Sequence, residues 1–241
     1  MYERNRQNPI YQFTWGIRFY FAGLRMLFRH PSLLGISLIP IAATVLLLVG
    51  FAIFLAWGIG ETLAIFFNEP LRRLTQAAIF ILALAAGYFL YLPLARILLA
   101  PFSEALSRKA SALHTGDKTR QPAAGWGHAV REGVKLVAFQ MLLIIAGIGL
   151  SAAFPPAAVP TGLLLASFLG ALDFFDIPLS VRGWPLRQKL GLMGRSKALT
   201  LGFGAAAYLA LFLPGINLFL LPAGVIGATI LTKSVLPERE Y

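Results

Sequence analysis

LVAFQMLLIIAGIGLSAAFPPAAVPTGLLLASFLGAL, residues 136–172, contains no Lys, Arg, Asp or Glu. At 37 residues it is nearly twice what one helix needs to cross a bilayer, and Pro155, Pro156 and Pro160 sit near its middle. Proline removes a backbone donor and turns the chain, so the stretch reads as a helical hairpin with a proline-broken tip. Each arm has about 16 to 19 residues, or ~24 to 28 Å of helix against ~30 Å of hydrocarbon. Two readings stay open on that length: a short hairpin that spans, or one that re-enters and turns back part way. A tip that stops inside the membrane needs its backbone shielded by protein or bathed in a watery cavity.

Three further stretches lack charge: His30–Gly60, Leu74–Ala95 and Ala198–Thr232. The last is interrupted by Pro214 and Gly215, with Pro222 beyond, and reads as a second hairpin. Within the other two, Leu33–Ile59 and Leu74–Leu99 are long enough to span with tilt. The expected fold is all-α: a polytopic membrane protein with two long transmembrane helices, two proline-broken hairpins and amphipathic interfacial helices. We expect one membrane domain, 1–241. It divides into an amphipathic segment (1–32), a transmembrane pair (33–100), a polar segment (101–135), the first hairpin (136–172), a second polar segment (173–197), the second hairpin (198–232) and a tail (233–241).

Composition agrees. Hydrophobic residues make up 58% of the chain and charged residues 13%, about half the charged share of a soluble domain. The net charge is +11. In a soluble protein that excess would suggest nucleic acid; here the basic residues sit between apolar runs, where they orient the chain against anionic lipid. Of 21 Lys and Arg, 19 fall in residues 1–32, 96–135, 173–197 and 233–241, leaving Arg72 and Arg73 in the segment that joins the first pair. The positive-inside rule then places both termini and both long polar segments in the cytoplasm. The first apolar run begins too late and runs too long for a signal peptide, so the N-terminus is expected to be retained.

From Ile10 the apolar residues Ile10, Phe13, Ile17, Tyr20, Phe21, Leu24, Leu27 and Phe28 recur at helical spacing, with Thr14, Arg18, Arg25 and Arg29 opposite. Such a helix lies in the headgroup layer. Weaker versions follow Pro101 and Pro185, and 114–124 reads as a loop. Trp15, Trp57, Trp126 and Trp184 lie at the ends of apolar units, as interfacial anchors do. Small residues recur every four positions, as Gly162, Ala166, Gly170; Gly202, Ala206, Ala210; Gly224, Ala228; and Ala223, Gly227. That spacing lets helix backbones approach closely in lipid.

Nothing here points to an enzyme, a metal or a cofactor. There is no cysteine, no nucleophile elbow, no P-loop and no dinucleotide fingerprint. His30, His114 and His128 lack partners at metal-binding spacing. Asp173 and Asp176 stand together at the mouth of the first hairpin. Their ordinary role is capping or pairing with Arg182 or Arg187; the alternative is a coupling-proton site of the kind that membrane acids mark.

Three groups of landmarks stand in order along the chain: Ala100-Pro101-Phe102 followed by a helix ending His114-Thr115-Gly116; Phe174-Phe175-Asp176-Ile177-Pro178 with Pro185; and Pro214, Asn217-Leu218-Phe219 and Pro222 leading to Gly227-Ala228-Thr229. In these the chain resembles the CysZ sulfate permease and etoposide-induced protein family. It implies a bacterial inner-membrane protein with partly penetrating hairpins and homo-oligomeric assembly, taking up sulfate without ATP hydrolysis. Sulfate-handling members of the family resemble one another in adjacent arginines after the proline that opens the first span. Here Ser32, Leu33, Leu34 and Gly35 follow Pro31. The fold assignment is untouched by that change, but a binding charge is missing.

If an oxyanion passes, the candidate groups are few. No basic residue lies mid-run, so helix N-termini with unpaired N–H groups are the natural hosts, at Thr161-Gly162 and at Gly215 to Asn217. Arg25 and Arg29 could replace the absent pair, though headgroup contact is their ordinary role. Arg96 either snorkels to the interface or lines a vestibule. Two functions follow: an oxyanion permease or channel, or a non-transporting membrane scaffold of the same fold. Expected partners are the lipid bilayer, sulfate or another oxyanion, and further copies of the chain, with no nucleic acid.

Overall fold

The computed structural model describes residues 8–63, 69–115, 126–210 and 217–235, and these are helical apart from short joints at His30, Phe154, 182–185 and Ser196. Eight α-helices follow in order: α1 Pro9–Arg29, α2 Pro31–Leu63, α3 Glu69–Thr115, α4 Trp126–Ala153, α5 Ala158–Val181, α6 Leu186–Arg195, α7 Lys197–Ala210 and α8 Asn217–Val235. The Pro214–Gly215 break lies outside the described residues. The chain groups into two compact units, Gly35–Phe102 and the remainder.

Local chemistry explains the helix ends. Asn8 caps α1, its Oδ1 accepting from the backbone of Ile10 at 3.0 Å. Pro9 and Pro31 open α1 and α2, where a missing N–H leaves no gap. Pro155 and Pro156 end α4 and form one 3₁₀ turn before α5 begins at Ala158. Pro160 does not break anything, because it falls in the first turn of α5, where its absent donor would have been unpaired. The helix restart is therefore three residues earlier than the expected Thr161.

In the first unit, Ser37, Pro40, Thr44, Ala52 and Ala56 of α2 are buried along one side, whereas Leu38, Ile39, Leu46, Phe51, Phe54 and Trp57 are exposed. Those large apolar side chains suit lipid, not water. Pro40 interrupts the helix ladder, and the Thr44 hydroxyl donates back to the Pro40 carbonyl at 2.7 Å. The helix α3 runs unbroken through Pro93 and Pro101 to Thr115. The sequence pattern separates a span ending near Leu99 from a weaker helix after Pro101; the structure joins them.

In the second unit, α7 and α8 form the core. Helix α1 packs on both from one side and α5 on both from another, with α4 against α5. Residues Leu220–Lys233 of α8 are all buried. A ring cluster of Tyr20, Phe174, Phe175 and Phe203 joins α1, α5 and α7, with centroids 5.1 to 6.5 Å apart. The Tyr20 hydroxyl donates to the Leu220 carbonyl at 3.0 Å, so even this buried polar tip is satisfied. Glycine sets the helix spacing. A Cβ on Gly16 would overlap the Leu199 carbonyl, one on Gly23 that of Ala223, one on Gly202 that of Phe13, and one on Gly204 that of Ser167. Backbones that close gain contact where lipid already solvates apolar side chains.

The first hairpin is longer than its apolar run. Arg131–Ala153 (23 residues) and Pro155–Val181 (27 residues) are each long and apolar enough to cross a membrane, as is Pro31–Gly58. The arms exceed the expected ~16 to 19 residues because the helices continue through their polar flanks, on α4 from Trp126 and on α5 past Asp173 to Val181. Near the tip the hairpin exposes Ile145, Ile148, Leu150, Val159, Leu163 and Leu164; from Ser167 onward α5 turns inward to the core.

Candidate functional site

Polar side chains gather where the long α4–α5 hairpin meets α6. From α4, Gln140 reaches across to α5, its amide donating to Asp173 Oδ1 at 2.7 Å. One turn further along α5, Asp176 takes Lys189 of α6 at 2.6 Å, and the same ammonium donates to Ser180 Oγ at 2.7 Å. The Lys189 side chain is only 3% exposed. A buried ammonium needs such partners, since leaving it unpaired costs several kcal/mol. Glu132 of α4 is buried too. One of its oxygens pairs with Lys135, and the other accepts the backbone N–H of Leu186 at 2.9 Å. A carboxylate from another helix thus caps α6, whose own N-cap is Pro185 and offers no side-chain acceptor.

A second polar seam lies between α3 and α8. Ser107 and Thr229 share a hydrogen bond at 3.0 Å, both buried, and Thr229 also donates to Val225 at 2.8 Å. Thr232 and Lys233 continue the buried line on α8. At the end of α3, burial and then the Lys233 ammonium hold the His114 imidazole below its ordinary range.

The expected site residues are dispersed. Arg25 and Arg29 are exposed on α1, on the side away from α7 and α8. Thr161 is half-buried and Gly162 exposed, as the fourth and fifth residues of α5, with nothing within 4 Å of where a Gly162 Cβ would stand. Asn217 opens α8. Its side chain, that of Arg96, and Gly215 lie outside the described residues. Asp173 and Asp176 do come together with other polar groups. Asp176 pairs with Lys189, not with Arg182 or Arg187. Among the described residues no three His, Asp or Glu meet at metal-holding distance.

Lys189, Gln140 and Glu132 escape sequence reasoning. One signal was available for the lysine: Leu186, Lys189 and Met193 share the spacing of one helix face, so Lys189 occupies a core position among apolar residues. Chemically the cluster joins helices by neutralising each buried charge.

Residues 19–222 match the family described as sulfate transporter CysZ/etoposide-induced protein 2.4. That range reaches from mid-α1 into α8 and includes the whole cluster. The chain belongs to this family. Among its CysZ/etoposide-induced relatives, a sulfate transporter CysZ of Pseudomonas fluorescens is 30% identical over 154 residues, 59% of this chain and 61% of that protein. Another, of Pseudomonas syringae, is 30% identical over 160 residues, 62% of each. The chain thus spans about three fifths of these two CysZ relatives. A third, of Pseudomonas paraeruginosa, is 27% identical over 234 residues, 86% of this chain and 90% of that protein.

Proposed function

We propose that this protein is a permease or channel for sulfate or a related oxyanion, working in the bacterial inner membrane as a homo-oligomer without ATP hydrolysis. Both termini and the polar segments face the cytoplasm. The observation that carries the proposal is the family match across 19–222, together with relatives named as sulfate transporters. The charge pattern supports it: 19 of 21 basic residues fall in segments that the positive-inside rule puts on one side.

An oxyanion entering such a fold is met by dipoles and hydroxyls before fixed charge. The proposed host is the start of α8 at Asn217, because the first N–H groups of a helix have no partner within it and carry partial positive charge. In this proposal Arg96, the lone basic residue within the apolar stretch Leu94–Leu99, is the candidate cation. Asp173 and Asp176 would repel a dianion if bare; Lys189 neutralises Asp176, and Gln140 donates a hydrogen bond to Asp173.

Uptake of labelled sulfate into liposomes carrying the purified full-length protein tests this. Saturable uptake without ATP, reduced by competing tetrahedral oxyanions and abolished in Arg96→Ala, is expected. Uptake no faster than in empty liposomes rejects the proposal. The scaffold alternative draws on the exposed outer face of α1; it predicts vesicle binding by the same preparation with no flux.

A further inference from the structure

We infer that the outward face of α1 is a binding surface for acidic phospholipid headgroups, held in place by the second hairpin. The inference stands apart from transport and needs no sulfate flux to be correct.

The inward face of α1 is fully committed. Gly16 and Gly23 bring its backbone against α7 and α8, Phe19, Tyr20 and Leu27 are buried, and Tyr20 is tied to Leu220. Of the apolar face visible in the sequence, Tyr20 and Leu27 are therefore spent on protein, with Ile17 and Leu24 half-buried. What remains outside is a mixed ridge. Arg18, Arg25 and Arg29 are exposed, and so are Ile10, Phe21 (55%) and Phe28 (57%). Arg18 and Phe21, Phe21 and Arg25, Arg25 and Phe28, and Arg25 and Arg29 are each three or four residues apart, hence surface neighbours. Guanidinium and phenyl groups alternate along one flank.

Residues 9–29 include no Asp or Glu. Among the described residues no carboxylate pairs with Arg25 or Arg29, and the Arg18 guanidinium lies over the Trp15 ring, 5.5 Å from its centroid. A row of arginines without acids, on a helix that cannot detach, asks for an anion from outside. The rings decide which anion. A soluble oxyanion gains nothing from exposed phenyl groups, whereas a lipid phosphate places its acyl chains beside them. The guanidinium fork also matches two phosphodiester oxygens. Rings at the acyl boundary with guanidinium groups snorkelling to phosphate level is the geometry of an interfacial helix. This assigns Arg25 and Arg29 to lipid in preference to transported sulfate.

Each arginine near an anionic surface contributes about fivefold in affinity, so removing three should cost roughly a hundredfold. The test uses full-length protein in mixed micelles of phosphatidylglycerol and phosphatidylcholine, with the lipid retained after purification measured by mass spectrometry. Wild type should enrich phosphatidylglycerol. The triple variant Arg18→Gln, Arg25→Gln, Arg29→Gln should lose that enrichment while melting like wild type in a zwitterionic detergent, and the triple Lys variant should keep most of it. Sodium sulfate and sodium chloride at equal ionic strength should reduce it equally. Wild-type enrichment in the triple Gln variant overturns the inference. So does displacement by sulfate beyond that by chloride, which would make the arginines a site for free oxyanion.

Discussion

Gly204 has the carbonyl oxygen of Ser167 where a methyl group would stand, and the Ala171 methyl 3.0 Å from the same point. Neither neighbour is the movable end of a long side chain, so the backbones themselves must separate. Gly16, Gly23 and Gly202 are closed in the same way, whereas Gly50 and Gly162 have nothing within 4 Å. Overpacking a close contact costs typically 1 to 3 kcal/mol. Gly204→Ala and Gly202→Ala are therefore expected to lower the melting temperature in detergent clearly. Gly50→Ala and Gly162→Ala should leave it unchanged or raise it slightly, since Ala outranks Gly in a helix by up to ~1 kcal/mol. Fluorescence-detected gel filtration after heating reads both sets; four indistinguishable curves would mean that these glycines do not set the helix spacing.

At the scale of elements, α6 is the instructive one. It is a 10-residue helix held by two carboxylates from different arms of the first hairpin, Glu132 at its amide end and Asp176 through Lys189. Removing one member of a buried pair leaves the other uncompensated, at about 3 to 5 kcal/mol, whereas replacing both with apolar residues is often neutral. Lys189→Met should destabilise the protein strongly. Asp176→Leu combined with Lys189→Met should recover much of the loss in the same melting assay, and equal loss in both would show that α6 is held by packing alone.

Elements also show where the bare sequence informs and where it does not. The proline-broken first hairpin is legible because Pro155 and Pro156 interrupt an uncharged run with a residue that cannot donate. The four-residue spacing of small residues on α7 and α8 is equally visible. Its partners are not, because Gly16 and Gly23 on α1 stand seven apart among larger apolar residues and look like a helix bound for lipid. Helix ends through polar flanks are hidden too. Trp126 to Lys135 and Asp173 to Val181 continue α4 and α5, where charge alone suggests a boundary, because buried pairing makes the charges compatible with a packed helix. The candidate anion site is the least legible part. A route built from backbone amides leaves no residue-type signature, and Lys189, the buried cation that the structure does bring forward, is a single departure from an apolar pattern.

The whole molecule follows from one asymmetry. Its charge is concentrated in the segments between apolar units, and the exposed surfaces of α2 and of the first hairpin near its tip are large apolar side chains. Such surfaces suit lipid; on the proposals made above, the polar ends of α3 to α6 and the basic ridge of α1 belong at a headgroup layer. If each hairpin leaves the cytoplasm and returns, positions near 4, 118, 188 and 238 all lie on one side, although they are scattered along the chain. The native sequence has no cysteine, so single cysteines can be introduced without background. Labelling Arg4→Cys, Lys118→Cys, Gln188→Cys and Glu238→Cys in intact cells with a membrane-impermeant maleimide is the most direct measurement. The account predicts that all four stay unlabelled until the inner membrane is opened; Gln188→Cys labelled from the outside while Arg4→Cys is protected would contradict the hairpin architecture and the oxyanion route built on it.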